Sequence, residues 1–224
     1  MRFAILLDHL GNESLPLMDA AAALRAEGHV LDGFVQSAER RFWNAARALR
    51  PDAVLVPADV EARDWAKAAV AEAKRFLAVP AIVCGSEPTA RPERIADLGA
   101  DYAVLGEVDL PLLALAAALE GGGPAEGIPG VWTPKGGAPA APGARIQDLD
   151  AAPFPYRGVY QKYPANLRLG AQRFGATRGA ASDGDSRAKS PERVVEEFRL
   201  VAKRAPMGAV HFTDESFIED RAWL

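Results

Sequence analysis

The sequence predicts an α/β protein whose residues 1–120 form a flavodoxin-like, doubly wound sheet of five parallel strands. Short apolar segments alternate there with longer amphipathic ones, and the alternation occurs five times. Strands that are apolar along their whole length are buried on both faces, as in a parallel sheet with helices on each side. The expected strand order is 2-1-3-4-5.

The strands are predicted from apolar runs, and the helices from amphipathic periodicity with start and stop residues. The strand candidates are FAILL (3–7), VLDGF (30–34), AVLVP (53–57), AIVCG (81–85) and DYAVLGE (101–107). The helix candidates are 16–28, 37–49, 60–77, 92–98 and 110–119. Gly28 is placed to end the first helix, while Ser37 and Asp109 are placed to cap the starts of two others.

A stretch rich in Gly and Pro, residues 121–164, follows the predicted sheet and is expected to be a linker. Two segments within it, GVWTP (130–134) and ARIQDL (144–149), have the composition of a small hairpin. The linker therefore separates two regions and either stays irregular or carries a hairpin of its own.

Residues 165–224 predict a second β/α region, with strands at 168–177 and 208–213. The helix between them has Ser190 as its N-cap and Pro191 in its first turn. Two strands cannot close a barrel, so we expect a fragment of a (β/α) barrel. Its apolar side chains can pack back on the first region, be covered by a homodimer or a partner protein, or remain partly disordered. They include Phe174, Phe198, Phe212 and Phe217.

Charge and cysteine content exclude several classes of protein. The net charge of −4 argues against a nucleic-acid surface, which requires clustered Lys and Arg. The longest apolar run, Leu110 to Leu119, is about half a membrane span, and the N-terminus lacks a signal-peptide pattern. The single cysteine, Cys84, fits a reducing cytoplasm and excludes a disulfide framework. We therefore expect a soluble, cytoplasmic protein.

Eight segments, in order along the chain, resemble one family. They are LRAEGHVLDGF, GSEPTARPE, GADYAVLGEVDLPLLALAAAL, IPGVW, DLDAAPFPY, ATRG, RAKSPERVVEEF and HFTDESFIEDRAWL. They resemble the N-terminal part of cobalamin-dependent radical S-adenosylmethionine (SAM) proteins, a group that includes methylases and the anaerobic magnesium-protoporphyrin cyclase. The resemblance implies that residues 1–120 bind cobalamin (B12) and that residues 165–224 begin a radical SAM barrel.

The chain departs from this family at the cluster loop. In the family, a Cys-x3-Cys-x2-Cys loop follows TRG and binds a [4Fe-4S] cluster that cleaves SAM. Here Gly179 is followed by AASDGDS (180–186), which contains no thiol. Alanine has no donor atom, and Ser or Asp oxygens are poor ligands for such clusters. The cluster and SAM are thus expected for the family but not supported by this sequence, and whether the chain is an enzyme stays open.

The candidate cobalamin site lies at the carboxyl ends of the predicted strands, where ligands of doubly wound sheets bind. The loops concerned are 8–14, 57–61, 85–89 and 106–107. The candidate residues are Asp8, His9, Asn12, Glu13, Ser14, Ala58, Asp59, Gly85, Ser86, Pro88, Thr89, Gly106 and Glu107. B12-dependent mutases supply a cobalt-binding histidine from Asp-x-His-x-x-Gly, but here the Asp and His are adjacent. We therefore expect no protein nitrogen on cobalt, and the sequence identifies no catalytic residue.

Other interpretations remain open. A non-catalytic B12 sensor or carrier would share the same ligand site and have no chemistry. A phosphoacceptor receiver domain has the same five-strand topology, and Asp8, Asp59 and Ser86 fit its pattern loosely. Its lysine position reads Gly106-Glu107, where a carboxylate would repel a phosphoryl group. The last alternative is an inert fragment.

Asp214 follows a barrel-type strand and is predicted to cap the next helix.

Overall fold

A computed structural model of the chain describes residues 1–11, 13–139, 141–163, 171–179, 186–204 and 207–214. The described residues form a mixed α/β protein that divides into two compact units. The first unit comprises Met1–Arg145 and Pro155–Tyr160, and the second comprises Ile146–Phe154 and Gln161–Leu224. The first unit thus extends past the predicted boundary at residue 120. It also includes Pro155–Tyr160, although the intervening residues 146–154 belong to the second unit.

The first unit is built on a six-stranded sheet of order β2-β1-β3-β4-β5-β6. Its strands are β1 (Arg2–Leu7), β2 (Val30–Val35), β3 (Ala53–Pro57), β4 (Ala81–Cys84), β5 (Tyr102–Val104) and β6 (Val131–Trp132). The first five are parallel, and β6 is antiparallel to β5. The prediction of a parallel α/β sheet is confirmed in part: the sheet is mostly parallel, and it has six strands rather than five because an unpredicted antiparallel strand joins from beyond residue 120.

The sixth strand comes from the stretch that was predicted to be a linker. Val131 and Trp132 are buried and pair with Val104 and Ala103 at the edge of β5. This pairing replaces the predicted hairpin, since residues 144–149 form no strand. Trp132 also joins the apolar core, so a two-residue strand is stabilised by burial and by an edge that would otherwise lack a partner.

Helices cover this sheet in two groups. They are α1 (Leu15–Ala26), α2 (Phe42–Ala48), α3 (Arg63–Leu77), α4 (Ser86–Ala90), α5 (Ile95–Leu98), α6 (Asp109–Gly121) and α7 (Gly158–Gln161). Helix α1 packs on α6, whereas α2 and α5 pack on α3. Alternate residues of β1 face different groups, and Ala4 and Leu6 belong to the core cluster that contains α2 and α3. Gly28, at φ +83°, ends α1 as predicted.

Two predicted helix caps are wrong. Helix α2 begins at Phe42 rather than after Ser37, whose N–H donates to the carbonyl of Asp8 at 3.0 Å. Because this long-range hydrogen bond fixes the chain in a turn, the helix starts later. Asp109 is the first residue of α6, and Val108 occupies the cap position.

The described residues of the second unit form two strand pairs and one long helix. Strand β7 (Ala171–Phe174) is parallel to β10 (Ala209–Phe212), and β8 (Thr177–Arg178) is antiparallel to β9 (Arg187–Ala188). Helix α8 (Pro191–Ala202) starts as predicted, because the Ser190 hydroxyl oxygen accepts the Arg193 N–H at 3.1 Å.

The aromatic side chains of the second unit are better covered than predicted. Phe174 is buried, and its ring lies 4.4 Å from Phe198 and 6.4 Å from Phe212, centroid to centroid. The start of the predicted strand 168–177, the helix after Asp214, and Phe217 lie outside the described residues. In the described parts of the chain, no helix is long and apolar enough to cross a membrane.

Candidate ligand site at the carboxyl edge of the sheet

The predicted site residues follow the carboxyl ends of strands β1, β3, β4 and β5, which are neighbours at one edge of the sheet. Asn12 lies outside the described residues. Most of the others fall into two sets, which share Asp59, whereas Glu13 is half-buried and does not line the cleft. One set joins the loops after β3, β4 and β5 by hydrogen bonds, and the other lines a cleft beside β1.

Asp59 and Ser86 join the loops after β3 and β4. One carboxylate oxygen of Asp59 accepts the Ser86 N–H at 3.2 Å and the Ser86 hydroxyl at 3.1 Å. The Ser86 hydroxyl oxygen in turn accepts the Val60 N–H at 3.2 Å. These bonds satisfy most of the polar groups of Ser86, so its role is to fix the loop backbone.

Gly85 stands where the loops after β3 and β4 come closest. Its backbone adopts φ +120° and ψ −166°, a conformation open essentially only to glycine. A Cβ at this position would lie 2.9 Å from the Ala58 carbonyl oxygen and 3.0 Å from the Asp59 carboxylate. The same Ala58 oxygen accepts the Glu87 N–H at 2.9 Å. Position 85 therefore requires glycine for a steric reason.

Thr89 connects the loop after β4 to the loop after β5. Its hydroxyl donates to the Gly85 carbonyl at 2.8 Å and accepts the Gly106 N–H at 3.0 Å. Gly106 has φ +74°, and nothing lies within 4 Å of the position where its Cβ would be. Pro88 is buried and Glu107 is half-buried. At the carboxyl ends of these strands, the backbone is therefore accessible and the space is open near Gly106.

The second set lines a cleft of about 340 Å³, measured to the open solvent. Four of its lining residues were predicted and four were not. The predicted ones are Asp8, His9, Ser14 and Asp59, and the others are Leu7, Pro57, Ala62 and Trp65. Most of this volume is open solvent and the enclosed space is only about 20 Å³, so the cleft is a shallow depression in the surface.

Trp65 is the most informative of the residues that the sequence analysis missed. It lies within the predicted helix 60–77, and its half-buried side chain reaches the cleft. Its indole N–H donates to the Gln36 side-chain oxygen at 2.7 Å. The available sequence signal was its position in the first turn of α3, just after the carboxyl end of β3.

His9 is exposed at the rim of the cleft. Among the described residues, no group of three or more His, Cys, Asp or Glu side chains is arranged to hold a metal ion. A direct metal site in the cleft therefore has no support from these side chains.

Cys84, the last residue of β4, lies directly beneath this edge. Burial, with a smaller contribution from the Asp59 charge, raises the pKa of its thiol to about 12. Because the thiolate is the reactive species, Cys84 should be inert at neutral pH.

We expect iodoacetamide at pH 8 to leave the folded protein unlabelled and to modify Cys84 fully in denaturant. Intact mass measured over time gives both extents. Rapid labelling of the folded protein, without loss of its circular dichroism, would contradict the buried position of this thiol.

Glu87 is a second residue that the sequence analysis missed. Its side chain is only 1% exposed, and its carboxylate lies 3.0 Å from Arg63 and 3.4 Å from both Arg91 and Arg94. The three arginines belong to α3 and to the segment after α4, so Glu87 ties the loop after β4 to a neighbouring helix. The spacing of Glu87 and Arg91, four residues apart, was the only local signal.

In the second unit, strands β8 and β9 flank the loop 180–186, which contains no thiol, and they pair with each other. Arg178 of β8 is opposite Arg187 of β9, while residues 180–185 lie outside the described residues. The helix that Asp214 is predicted to cap lies outside the described residues. The Asp214 carboxylate accepts the N–H groups of Ala176 (2.8 Å) and Thr177, and the Thr177 hydroxyl (2.7 Å). It therefore fixes the chain after β7.

The fold is similar to solved structures of radical SAM enzymes. One is TsrM, a radical SAM methyltransferase from Kitasatospora setae, with tryptophan and a SAM analogue bound. It matches with a TM-score of 0.74 and 19% identity, and the match covers 99% of this chain and 49% of that chain. TsrM with cobalamin and a [4Fe-4S] cluster matches with TM-score 0.72 and 20% identity, over 96% and 48%. OxsB, a cobalamin-dependent enzyme with aqua-cobalamin bound, matches with TM-score 0.76 and 14% identity, over 97% and 34%.

This chain therefore spans about half the length of TsrM and a third of that of OxsB. No family model and no curated protein matches it. At 14–20% identity the similarity is one of fold. It confirms the fold resemblance and covers both units of the chain.

Proposed function

We propose that the first unit is a cobalamin-binding module, in a chain resembling the N-terminal part of B12-dependent radical SAM enzymes of the methylase or cyclase type. The observation that carries the proposal is the arrangement of the loops around Gly85 and Gly106, at the carboxyl ends of β4 and β5. There Asp59, Ser86 and Thr89 hold three loops together and leave backbone accessible to a ligand. The cobalamin-bound TsrM and OxsB structures, which share the fold, support the choice of ligand.

The residues present fit part of such a ligand. The loops 8–14, 57–61, 85–89 and 106–107 would hold it, with the glycines against a flat face of the macrocycle and the Trp65 cleft receiving a peripheral group. No protein nitrogen would bind cobalt, since the adjacent Asp8 and His9 do not match the Asp-x-His-x-x-Gly pattern.

The direct test is to incubate the protein with hydroxocobalamin, desalt it and record the absorption spectrum. Retained corrin bands would support the proposal, and their absence would refute it. His9→Ala should leave the spectrum of the bound cobalt unchanged. A clear shift of the visible bands would mean that His9 is a cobalt ligand.

Trp65 supplies a sharper prediction. Trp65→Ala should weaken hydroxocobalamin binding by roughly tenfold, because it removes an aromatic wall worth about 1–1.5 kcal/mol from the cleft. Titration of corrin absorbance against protein concentration measures the change. Trp43→Ala is the matched control, since Trp43 stacks on Phe76 at 5.4 Å and does not line the cleft. Equal affinities for the two variants would exclude the cleft from the site.

The proposal includes the absence of radical chemistry, so the module would act as a B12 carrier or sensor. The sequence supports this, because the loop that follows Gly179 has no cysteine. The one cysteine of the sequence is Cys84, which is buried and lies far from that loop along the chain. Anaerobic reconstitution with iron and sulfide, followed by reductant and SAM, should yield no 5′-deoxyadenosine. Formation of this product in proportion to the protein would refute the carrier or sensor role.

A further inference from the structure

A short segment returns to the first unit after the chain has left it at Arg145. This segment, Pro155–Tyr160, is called the strap below. The Tyr156 N–H donates to the Met18 carbonyl at 2.9 Å, and the Arg25 guanidinium lies 4.2 Å from the centre of the Tyr156 ring. Both Met18 and Arg25 belong to α1. The strap is therefore attached along the helix that follows the loop 8–14.

The strap also lies against the sheet. A Cβ on Gly33 would be 2.4 Å from the Val159 carbonyl oxygen, so the strap backbone touches β2 where only glycine leaves room. Gly33 is in register with Ile5 of β1, and Val159 is fully buried. A glycine inside a strand is thus explained by close approach of another backbone.

The strap ends at the candidate ligand site. Tyr160 is 2% exposed, and its hydroxyl accepts the Ser14 N–H at 3.2 Å. Ser14 lines the cleft, and its own hydroxyl oxygen accepts the Leu17 N–H at the start of α1. One buried phenol therefore fixes the backbone at the point where the loop 8–14 becomes a helix.

We propose that Tyr160 is a positioning residue for the ligand site. It holds the Ser14 end of the loop 8–14 in place, so that the cleft keeps its shape before the ligand arrives. The ligand part of this inference rests on the proposed cobalamin function. The positioning part does not, because it concerns contacts made in the free protein.

The first test uses amide hydrogen exchange in the ligand-free protein. Tyr160→Phe keeps the buried ring and removes the hydroxyl. Losing one hydrogen bond of ordinary strength should speed exchange of the Ser14 amide roughly fivefold, with peptides from α3 unchanged. Tyr156→Phe is the control and should leave the Ser14 amide as in wild type. Unchanged exchange at Ser14 in Tyr160→Phe, or equal acceleration throughout the unit, would overturn the positioning role.

Gly33→Ala provides a second route to the same effect. Its methyl group displaces the Val159 carbonyl without touching Tyr160, and the local exchange pattern should resemble that of Tyr160→Phe. A folded Gly33→Ala protein with wild-type exchange at Ser14 would also count against the inference.

The second test measures hydroxocobalamin affinity. Tyr160→Phe should weaken binding by roughly two- to tenfold relative to Tyr156→Phe, as expected for one hydrogen bond. Equal affinities, in a wild-type protein that does bind corrin, would overturn the ligand part. If wild type binds no corrin, the proposed function fails, and the exchange data alone decide whether Tyr160 positions the loop.

Discussion

Replacing Gly85 with Ala should destabilise the first unit by about 3 kcal/mol and prevent corrin retention. Backbone strain in this glycine-only region costs about 1–3 kcal/mol. The added methyl would also lie 2.9 Å from the Ala58 carbonyl oxygen, which is backbone and cannot rotate away. The loops after β3 and β4 must separate to admit it, which breaks the Asp59–Ser86 bonds. Urea denaturation measures the free energy of unfolding, and desalting after hydroxocobalamin measures retention.

Gly99→Ala is the control for backbone strain alone. Gly99 also has positive φ, +70°, but nothing lies within 4 Å of its Cβ position. A residue forced into this left-handed region costs about 1–2 kcal/mol, and corrin retention should persist. If the two variants lose equal stability and both retain corrin, the close contact at Gly85 contributes nothing to the site.

Replacing Glu87 with Ala should cost about 3 kcal/mol of unfolding free energy, near the lower end for removing one partner of a buried ion pair. Arg63, whose side chain is 16% exposed, would lose the carboxylate that lies 3.0 Å away. Arg91 and Arg94 are 45% and 37% exposed, so water can solvate them and limits the loss. The arginines would then repel one another, and the segment after α4 should loosen.

Glu93→Ala provides the comparison, because Glu93 is an exposed acid in the same segment and its removal makes the same change in net charge. Its unfolding free energy should stay within about 0.5 kcal/mol of wild type. Chemical denaturation of both variants gives the difference. A loss below about 1 kcal/mol for Glu87→Ala would show that the arginine cluster does not depend on its buried carboxylate.

The strand pattern predicted which loops meet at the carboxyl ends of the strands, but not the contacts between those loops. Parallel strands bring their carboxyl ends to one edge, so placing Asp59, Ser86 and Gly106 near that edge needed only the strand pattern. The pairing of Ser86 with Asp59, and of Thr89 with Gly106, joins residues from different loops. Such pairs depend on distances across the sheet, which strand periodicity does not encode. Trp65 and Glu87 were missed for the same reason.

The sequence by itself determined the features that depend on neighbouring residues or on composition. Apolar runs predicted the parallel strands, Ser190 and Gly28 marked helix ends through local backbone geometry, and the lack of thiols after Gly179 follows from composition alone. Only the tertiary structure decided the features that join distant parts of the chain. Strand β6 forms because two buried residues meet the edge of β5, and the strap forms because Gly33 leaves room for Val159. Helix α2 starts late because Ser37 is held by Asp8. Each of these contacts depends on space or on a partner that exists only after the sheet has assembled.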